Sequence, residues 1–343
     1  MPPRVVLVTG VSRSLGGRLA ARLAADPDIE RIIGVDTAPP GRHLADLLGR
    51  TEFVRADIRN PLIAKVIAAA RVDTVVHMSI AATPGAGGRV PMKEMNVIGT
   101  MQLLAGCQKS PHLRRLVVKS STAVYGASHR DPALFTEDTQ PKSPLRTSYG
   151  KDAVEIEGYV RGFGRRRPDV SIAQLRFADF IGPRVDSPLT RYLSLPVVPT
   201  VLGYDPRMQL VHEDDAVEAL RLAALDDRPG TYNVAGDGIL LLSQAIRRAG
   251  RIFAPVPERA MPVLARVARL SVEQVRFLHY GRVVDNTRLK REFGYQPKYS
   301  TAQAFDDFVQ SGMVRRVVDP GLVAGVERTL AALLGRAQGA RGE

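Results

Sequence analysis

The chemistry in this chain is easiest to see in the stretch TSYGKDAVEIE, Thr147 to Glu157. A tyrosine hydroxyl can exchange a proton with a substrate hydroxyl. With an ordinary pKa of about 10 it is a poor base at neutral pH unless a cation stands beside it. On a helix, a lysine four residues after the tyrosine would share its face and supply that cation. Here Lys151 comes two residues after Tyr149 and points to nearly the opposite face, and Ala153 holds the fourth position. Whether another ammonium serves Tyr149 decides whether the chain catalyses anything.

A second site of chemistry lies near the N-terminus, in VTGVSRSLGGRLA. Thr9-Gly10 and Leu15-Gly16 bracket a tight turn between an apolar β-branched run and a helix-like run. Amides at a helix N-terminus, with no Cβ in the way, suit the pyrophosphate of a dinucleotide. Asp36 ends the next apolar run, where a carboxylate accepts hydrogen bonds from the adenosine ribose. A carboxylate there repels a 2′-phosphate, so the cofactor expected is NAD, with NADP the lesser alternative.

The elements that must position these groups follow from the alternation of apolar runs and helical patterns. RVVLVTG, IERIIGVD, FVRAD, DTVVHMS, LRRLVVKSS and VSIAQLRFAD read as strands, separated by helix-like stretches such as LGGRLAARLAAD and PLIAKVIAAARV. Strands that do not alternate apolar with polar are buried on both faces, which means a doubly wound parallel sheet in an α/β fold. After about Gly182 the pattern loosens and proline becomes frequent, as expected of a smaller lobe interleaved with a last sheet strand. The division expected is 1–182 for the cofactor domain, with 231–235 joining its sheet. Residues 183–230 and 236–335 form the substrate lobe and C-terminal helices, and 336–343 a frayed tail.

Composition limits the classes of function. The chain has 343 residues, 45% of them apolar, and a net charge of +13. The charge is dispersed, Trp is absent, and no basic-aromatic interleaving suits base stacking, so nucleic acid is not expected as a partner. One cysteine, Cys107, allows no internal disulfide and fits a reducing cytoplasm. No run is long enough to span a bilayer, although MPVLARVARLSVEQVRFL could form a basic amphipathic helix on a membrane surface. No metal site is expected. The partner expected is a small-molecule substrate, and a homodimer is compatible with the composition.

These residues resemble the extended short-chain dehydrogenase/reductase superfamily, and within it the NAD-dependent epimerase/dehydratase family related to UDP-glucose 4-epimerase. The glycine turn can be matched to Thr-Gly-x-x-Gly-x-x-Gly, with Arg13 at the middle glycine. It can also be matched to the shorter branch's Thr-Gly-x-x-x-Gly-x-Gly, with Ser14 there. In that shorter branch a basic residue in this loop often marks NADP; Asp36 argues for NAD. Later motifs favour the extended branch. They are ADI at Ala56, VVHMSIAA at the end of strand four, NVIGT at Asn96, KSSTAVYG, FTEDTQP, LRFADFIGP, LVHEDDAVEAL and VVDNTRLKREFGYQPKYS.

The resemblance implies a Rossmann sheet with a smaller interleaved C-terminal substrate lobe. It assigns Gly10, Ser14, Leu15 and Gly16 to the pyrophosphate and Asp36 to the ribose. Asp57 and Ile58 would flank the adenine, and Asn96 would brace the nearby loop. Ser121 and Tyr149 are the implied acid–base pair, completed in the family by a lysine at the position of Ala153. Three explanations stand for its absence: a helical bulge that swings Lys151 inward, a substitute cation in Lys119 on strand five, or lost chemistry. Asp179 occupies the place of an asparagine that helps hold a nucleotide diphosphate. A carboxylate there repels a diphosphate unless a nearby arginine (Arg176, Arg184, Arg191 or Arg207) neutralises it. His212 would cap or brace its turn. The expected function is therefore NAD-dependent epimerase/dehydratase-like oxidoreduction. The alternatives are a non-catalytic NAD(P)-binding sensor or scaffold and a peripheral membrane-associated reductase.

Overall fold

The computed structural model describes residues 3–80, 89–140, 145, 148–258 and 278–312. Ala81-Ala82, the part of the amphipathic stretch in 261–277 and the tail 336–343 lie outside the described residues. Among the described residues, no helix is long and apolar enough to cross a membrane.

The first half alternates strand and helix: β1 Val5–Thr9, α1 Ser14–Ala24, β2 Arg31–Asp36, α2 Arg42–Leu47, β3 Glu52–Arg55, α3 Leu62–Ala69 and β4 Thr74–His77. Then come α4 Arg89–Lys93, α5 Gly99–Lys109, β5 Arg115–Ser121, α6 Ser148–Arg166, β6 Ser171–Phe177 and β7 Asp179–Ile181. Beyond them lie α7 Pro188–Leu193, β8 Val197–Val201, β9 Arg207–Met208, β10 Leu210–His212, α8 Glu213–Leu225 and β11 Gly230–Val234. The described elements close with β12 Leu240–Leu241, α9 Leu242–Arg248, β13 Ile252–Val256, α10 Thr287–Arg291 and α11 Thr301–Gln310.

Seven strands form one parallel sheet in the order β11-β6-β5-β4-β1-β2-β3. The β-branched runs VVLVT and TVVH are buried almost throughout because helices cover both faces. One face packs against α1 and α8 through Leu19, Leu23, Ala216 and Leu220. The other packs against α3, α5 and α6 through Ile63, Ile67, Leu103, Ile156 and Phe163. Strand order reverses between β1 and β4, so a crevice opens beyond their C-terminal ends, the usual place for a ligand in such sheets.

The remaining strands pair in twos: β7 with β10, β8 with β13, and β9 with β12. They share a third core, centred on Tyr192, Met208, Leu210, Phe305 and Phe308. β11 leaves that region and runs parallel to β6 at the sheet edge.

Candidate active site

The glycine turn depends on missing side chains. Gly10 has φ 79°, which an L residue rarely adopts, and a Cβ at Gly16 would collide with the Gly10 carbonyl oxygen. No side chain caps α1, whose N-cap is Arg13, and its first turn carries no acidic residue. The N-terminal amides and the positive end of the helix dipole are thus offered to an anion. Ser14 and Leu15 supply two of these positions.

Asp36, at the end of β2, accepts from the Ser12 amide at 3.0 Å and the Thr37 amide at 2.7 Å. These bonds hold the carboxylate at the rim of a small pocket lined also by Arg13, Ile58, Ser79 and Met95. Asp57 turns away from that pocket. Its carboxylate takes Arg59 at 2.6 Å, and this hydrogen bond, together with the Arg59 charge, holds its pKa below the usual carboxylate range despite partial burial. Of the two residues assigned to the adenine, Ile58 lines the pocket. Met95 also lines it but carries no motif signal, because it stands in a π-helical turn, Glu94–Ile98, that its sequence does not announce.

A buried relay joins this turn to Asn96. Thr9 Oγ1 accepts from the Met78 and Ser79 amides at 3.0 and 3.2 Å, which leaves its proton for His77 Nδ1 at 2.9 Å. His77 Nε2 then carries the ring proton and donates to Thr100 Oγ1 at 2.9 Å, and Thr100 donates to the Asn96 carbonyl. Both ring nitrogens are satisfied only in the neutral form. Burial, with a smaller contribution from the Lys119 charge, pushes the His77 pKa down to about 3.

β5 carries two kinds of residue at its end. Ser120 faces α6 and donates to Glu157 at 2.7 Å. Lys119 and Ser121 alternate with it and face the α1 side, where Lys119 Nζ donates to the Ile80 carbonyl at 2.9 Å and lies 6.0 Å from the Phe180 ring centroid. Desolvation, with Arg13 adding repulsion, pushes the Lys119 pKa down to about 8. Ser121 Oγ accepts from the Ala123 amide at 3.1 Å, capping a short 3₁₀ turn. Tyr149 sits in the first turn of α6 and packs partly against the core on that side.

α6 is a continuous α-helix from Ser148 to Arg166, and Lys151 on it is exposed. The bulge that would have turned Lys151 inward is therefore not present. Ala153 is buried in the core. α6 meets the sheet on the face of Ser120, and Ala153, where the family lysine would arise, packs into the same core as Val8, Val117 and Phe177.

Under the site, Glu157 accepts from Arg176 at 2.9 and 2.7 Å, Arg176 donates to Tyr125 at 2.9 Å, and Tyr125 donates to Asn233 at 2.7 Å. Asp179 is partly buried. Burial raises its pKa, opposed by the charge of Arg282. The four arginines expected near Asp179 do not neutralise it. Arg176 is held by Glu157, Arg184 by Glu213 and Asp214, and Arg191 by Asp186, while Arg207 is not among the charges acting on Asp179. Arg282, about a hundred residues away in sequence, had no local signal to mark it. His212 caps α8, its Nδ1 accepting from the Asp214 amide at 3.1 Å, and its ring stacks on Tyr299 at 3.8 Å.

The sheet, the uncapped helix and the acid at the end of β2 define a dinucleotide-binding α/β protein. Residues 6–235 match the NAD dependent epimerase/dehydratase family, and the chain belongs to it. It is 52% identical over 325 residues to an uncharacterized protein of Mycobacterium tuberculosis, covering 93% of this chain and 86% of that one. It is 26% identical to a UDP-glucose 4-epimerase of Mycolicibacterium smegmatis, covering 89% of this chain and 97% of that one. Among solved structures, it is similar to the UDP-glucose 4-epimerase of Thermotoga maritima with UDP-glucose, at a TM-score of 0.70 and 20% identity, covering 90% of this chain and 98% of that one. It is also similar to the dTDP-glucose 4,6-dehydratase of Bacillus anthracis in complex with NAD, at 0.69 and 21%, covering 90% and 96%. NAD is the cofactor of the family, and the residues here fit it: a turn with no room for a Cβ, uncapped amides, and a carboxylate at the end of β2.

Proposed function

We propose that the protein is an NAD-dependent oxidoreductase of the epimerase/dehydratase type acting on a hydroxyl or carbonyl group of a small molecule. What supports the reading is that Lys119 and Ser121 alternate with Ser120 and so share one face at the end of β5, with Tyr149 in the first turn of α6. When bound, NAD supplies the group that accepts and returns a hydride. Tyr149 takes or returns the substrate's hydroxyl proton. Ser121 already accepts from Ala123, so its own proton is left for the substrate oxygen. Lys119 supplies a cation from β5 rather than from the helix of Tyr149, which gives Tyr149 less help than a lysine on its own helix, so turnover is slow.

A sugar nucleotide or a related hydroxyl compound is the substrate class that the family supports, and the Asp179 carboxyl disfavours a diphosphate beside it. The test is conversion of a nucleotide-sugar panel by purified protein, with NAD(H) and NADP(H) binding recorded in parallel. Lys119→Ala is expected to abolish turnover and Ala153→Lys to restore it. Unchanged turnover and cofactor affinity in Lys119→Ala refute the role given to Lys119.

The burial of Ala153 where the family has its lysine favours a second reading, an NAD-binding sensor or scaffold without turnover. NAD binding with no conversion in the panel, and no gain from Ala153→Lys, selects it.

A further inference from the structure

Away from the cofactor turn, a cavity of about 200 Å³ opens between residues 128–135 and 280–283, with Arg207 on its wall. Its frame is set by backbone. Gly281, at φ 65°, lies so close to β9 that a Cβ would collide with the Arg207 carbonyl oxygen, and the Arg282 amide donates to that oxygen at 3.1 Å. The His129 and Tyr280 rings lie 6.5 Å apart, and Tyr204 stands edge-on to Tyr280 at 6.0 Å.

Three groups in the lining have no hydrogen-bond or ion-pair partner among the described residues: the Arg207 guanidinium, the Tyr280 hydroxyl and the His129 imidazole. The single carboxylate, Asp131, is taken by the Ser128 amide and hydroxyl. The Arg207 guanidinium and a phenol against one occupied carboxylate make the cavity donor-rich. A free arginine fork matches two oxygens of a carboxylate or phosphate.

Arg282 forms the wall toward the reaction site. Its Nε donates to the Gly126 carbonyl at 3.0 Å and its Nη1 faces Thr122 Oγ1 at 3.4 Å, directly after Ser121. Arg282 is also the cation that acts on Asp179. An anion beside Asp179 meets a carboxylate, whereas an anion on the far side of Arg282 meets Arg207.

We propose that this cavity receives an anionic group, carboxylate or phosphate, at the remote end of the substrate, with Arg207 as the contact that selects it. This rests on the substrate-binding reading above. The test is calorimetric titration of the full chain with inorganic phosphate and, separately, acetate at constant ionic strength, with NAD affinity measured on the same samples. The expected result is binding of at least one anion, weakened at least tenfold in Arg207→Met and partly kept in Arg207→Lys, with NAD affinity unchanged. Which anion binds assigns phosphate or carboxylate. Equal binding in Arg207→Met, or no binding of either anion to the original protein, overturns the proposal. Failure of NAD to bind refutes the cofactor reading alone, because the two affinities are read independently.

Discussion

Lys119 Nζ donates to the main-chain carbonyl of Ile80 at 2.9 Å, which ties the end of β5 to the segment that follows β4 and holds an ammonium among protein atoms. The pKa of that ammonium falls from an ordinary 10.5 to about 8, mainly through desolvation. Between these values the unfolded chain binds more protons than the folded one, so stability rises with pH across that window. At neutral pH the lysine costs stability, on the order of 3 kcal/mol.

Lys119→Met should therefore stabilise the fold at pH 7 by roughly 1–3 kcal/mol, the lost bond to Ile80 offsetting part of the gain. The advantage should shrink above pH 8 and vanish near pH 10.5. Urea unfolding at pH 7 and pH 10 measures it, and destabilisation at pH 7 would count against the desolvation argument. In the original protein, NAD affinity should weaken as pH rises through about 8, where Lys119 loses its charge.

His77 has its pKa depressed to about 3. Below an unfolded value of about 6.5 the unfolded chain binds the extra proton, so stability falls with acid by up to about 1.4 kcal/mol per pH unit from this group. His77→Gln should flatten the stability profile between about pH 6.5 and 3 while lowering stability at pH 7 through loss of the Thr9–Thr100 relay. Unfolding curves at pH 7, 6, 5 and 4 decide it. An unaltered slope in the variant would assign the acid sensitivity elsewhere.

The Glu157–Arg176 pair is nearly excluded from water, with side-chain exposures of 3% and 11%. Removing one partner leaves a buried charge, so Glu157→Gln or Arg176→Met should each cost roughly 3–5 kcal/mol. The double variant should cost clearly less than the sum. Strict additivity in a double-mutant cycle would mean that the two do not act as a unit.

Asp36 is held at the end of β2 by the Ser12 and Thr37 amides. NAD(H) should bind more tightly than NADP(H), and Asp36→Ala should narrow the gap by weakening NAD(H) and relieving repulsion of the 2′-phosphate. Fluorescence titration with the reduced cofactors tests it. Tighter NADPH binding to the original protein would hand the 2′-phosphate to Arg13.

Much of the cofactor turn was legible because its signals are local. Gly10 and Gly16 lie within one strand–turn–helix unit, and the acid at Asp36 ends the next strand. The departure at Ala153 was legible for the same reason, since four residues on a helix define a face. Met95 and Arg282 were not: one depends on a π-helical turn, and the other acts on Asp179 across the fold.

From sequence alone came the parallel sheet, the glycine turn and the pairing of Lys119 with Ser121 on one face, because strand parity and helical period are properties of neighbouring residues. Tertiary structure alone decided what stands opposite those faces. It set Lys119 against the Ile80 carbonyl, gave three of the four nearby arginines to other carboxylates, and brought Arg282 to bear on Asp179. The physical reason is that charges and hydrogen bonds act over a few ångströms of space, and the distant segments that meet there are chosen by packing of the whole core, which no local pattern records.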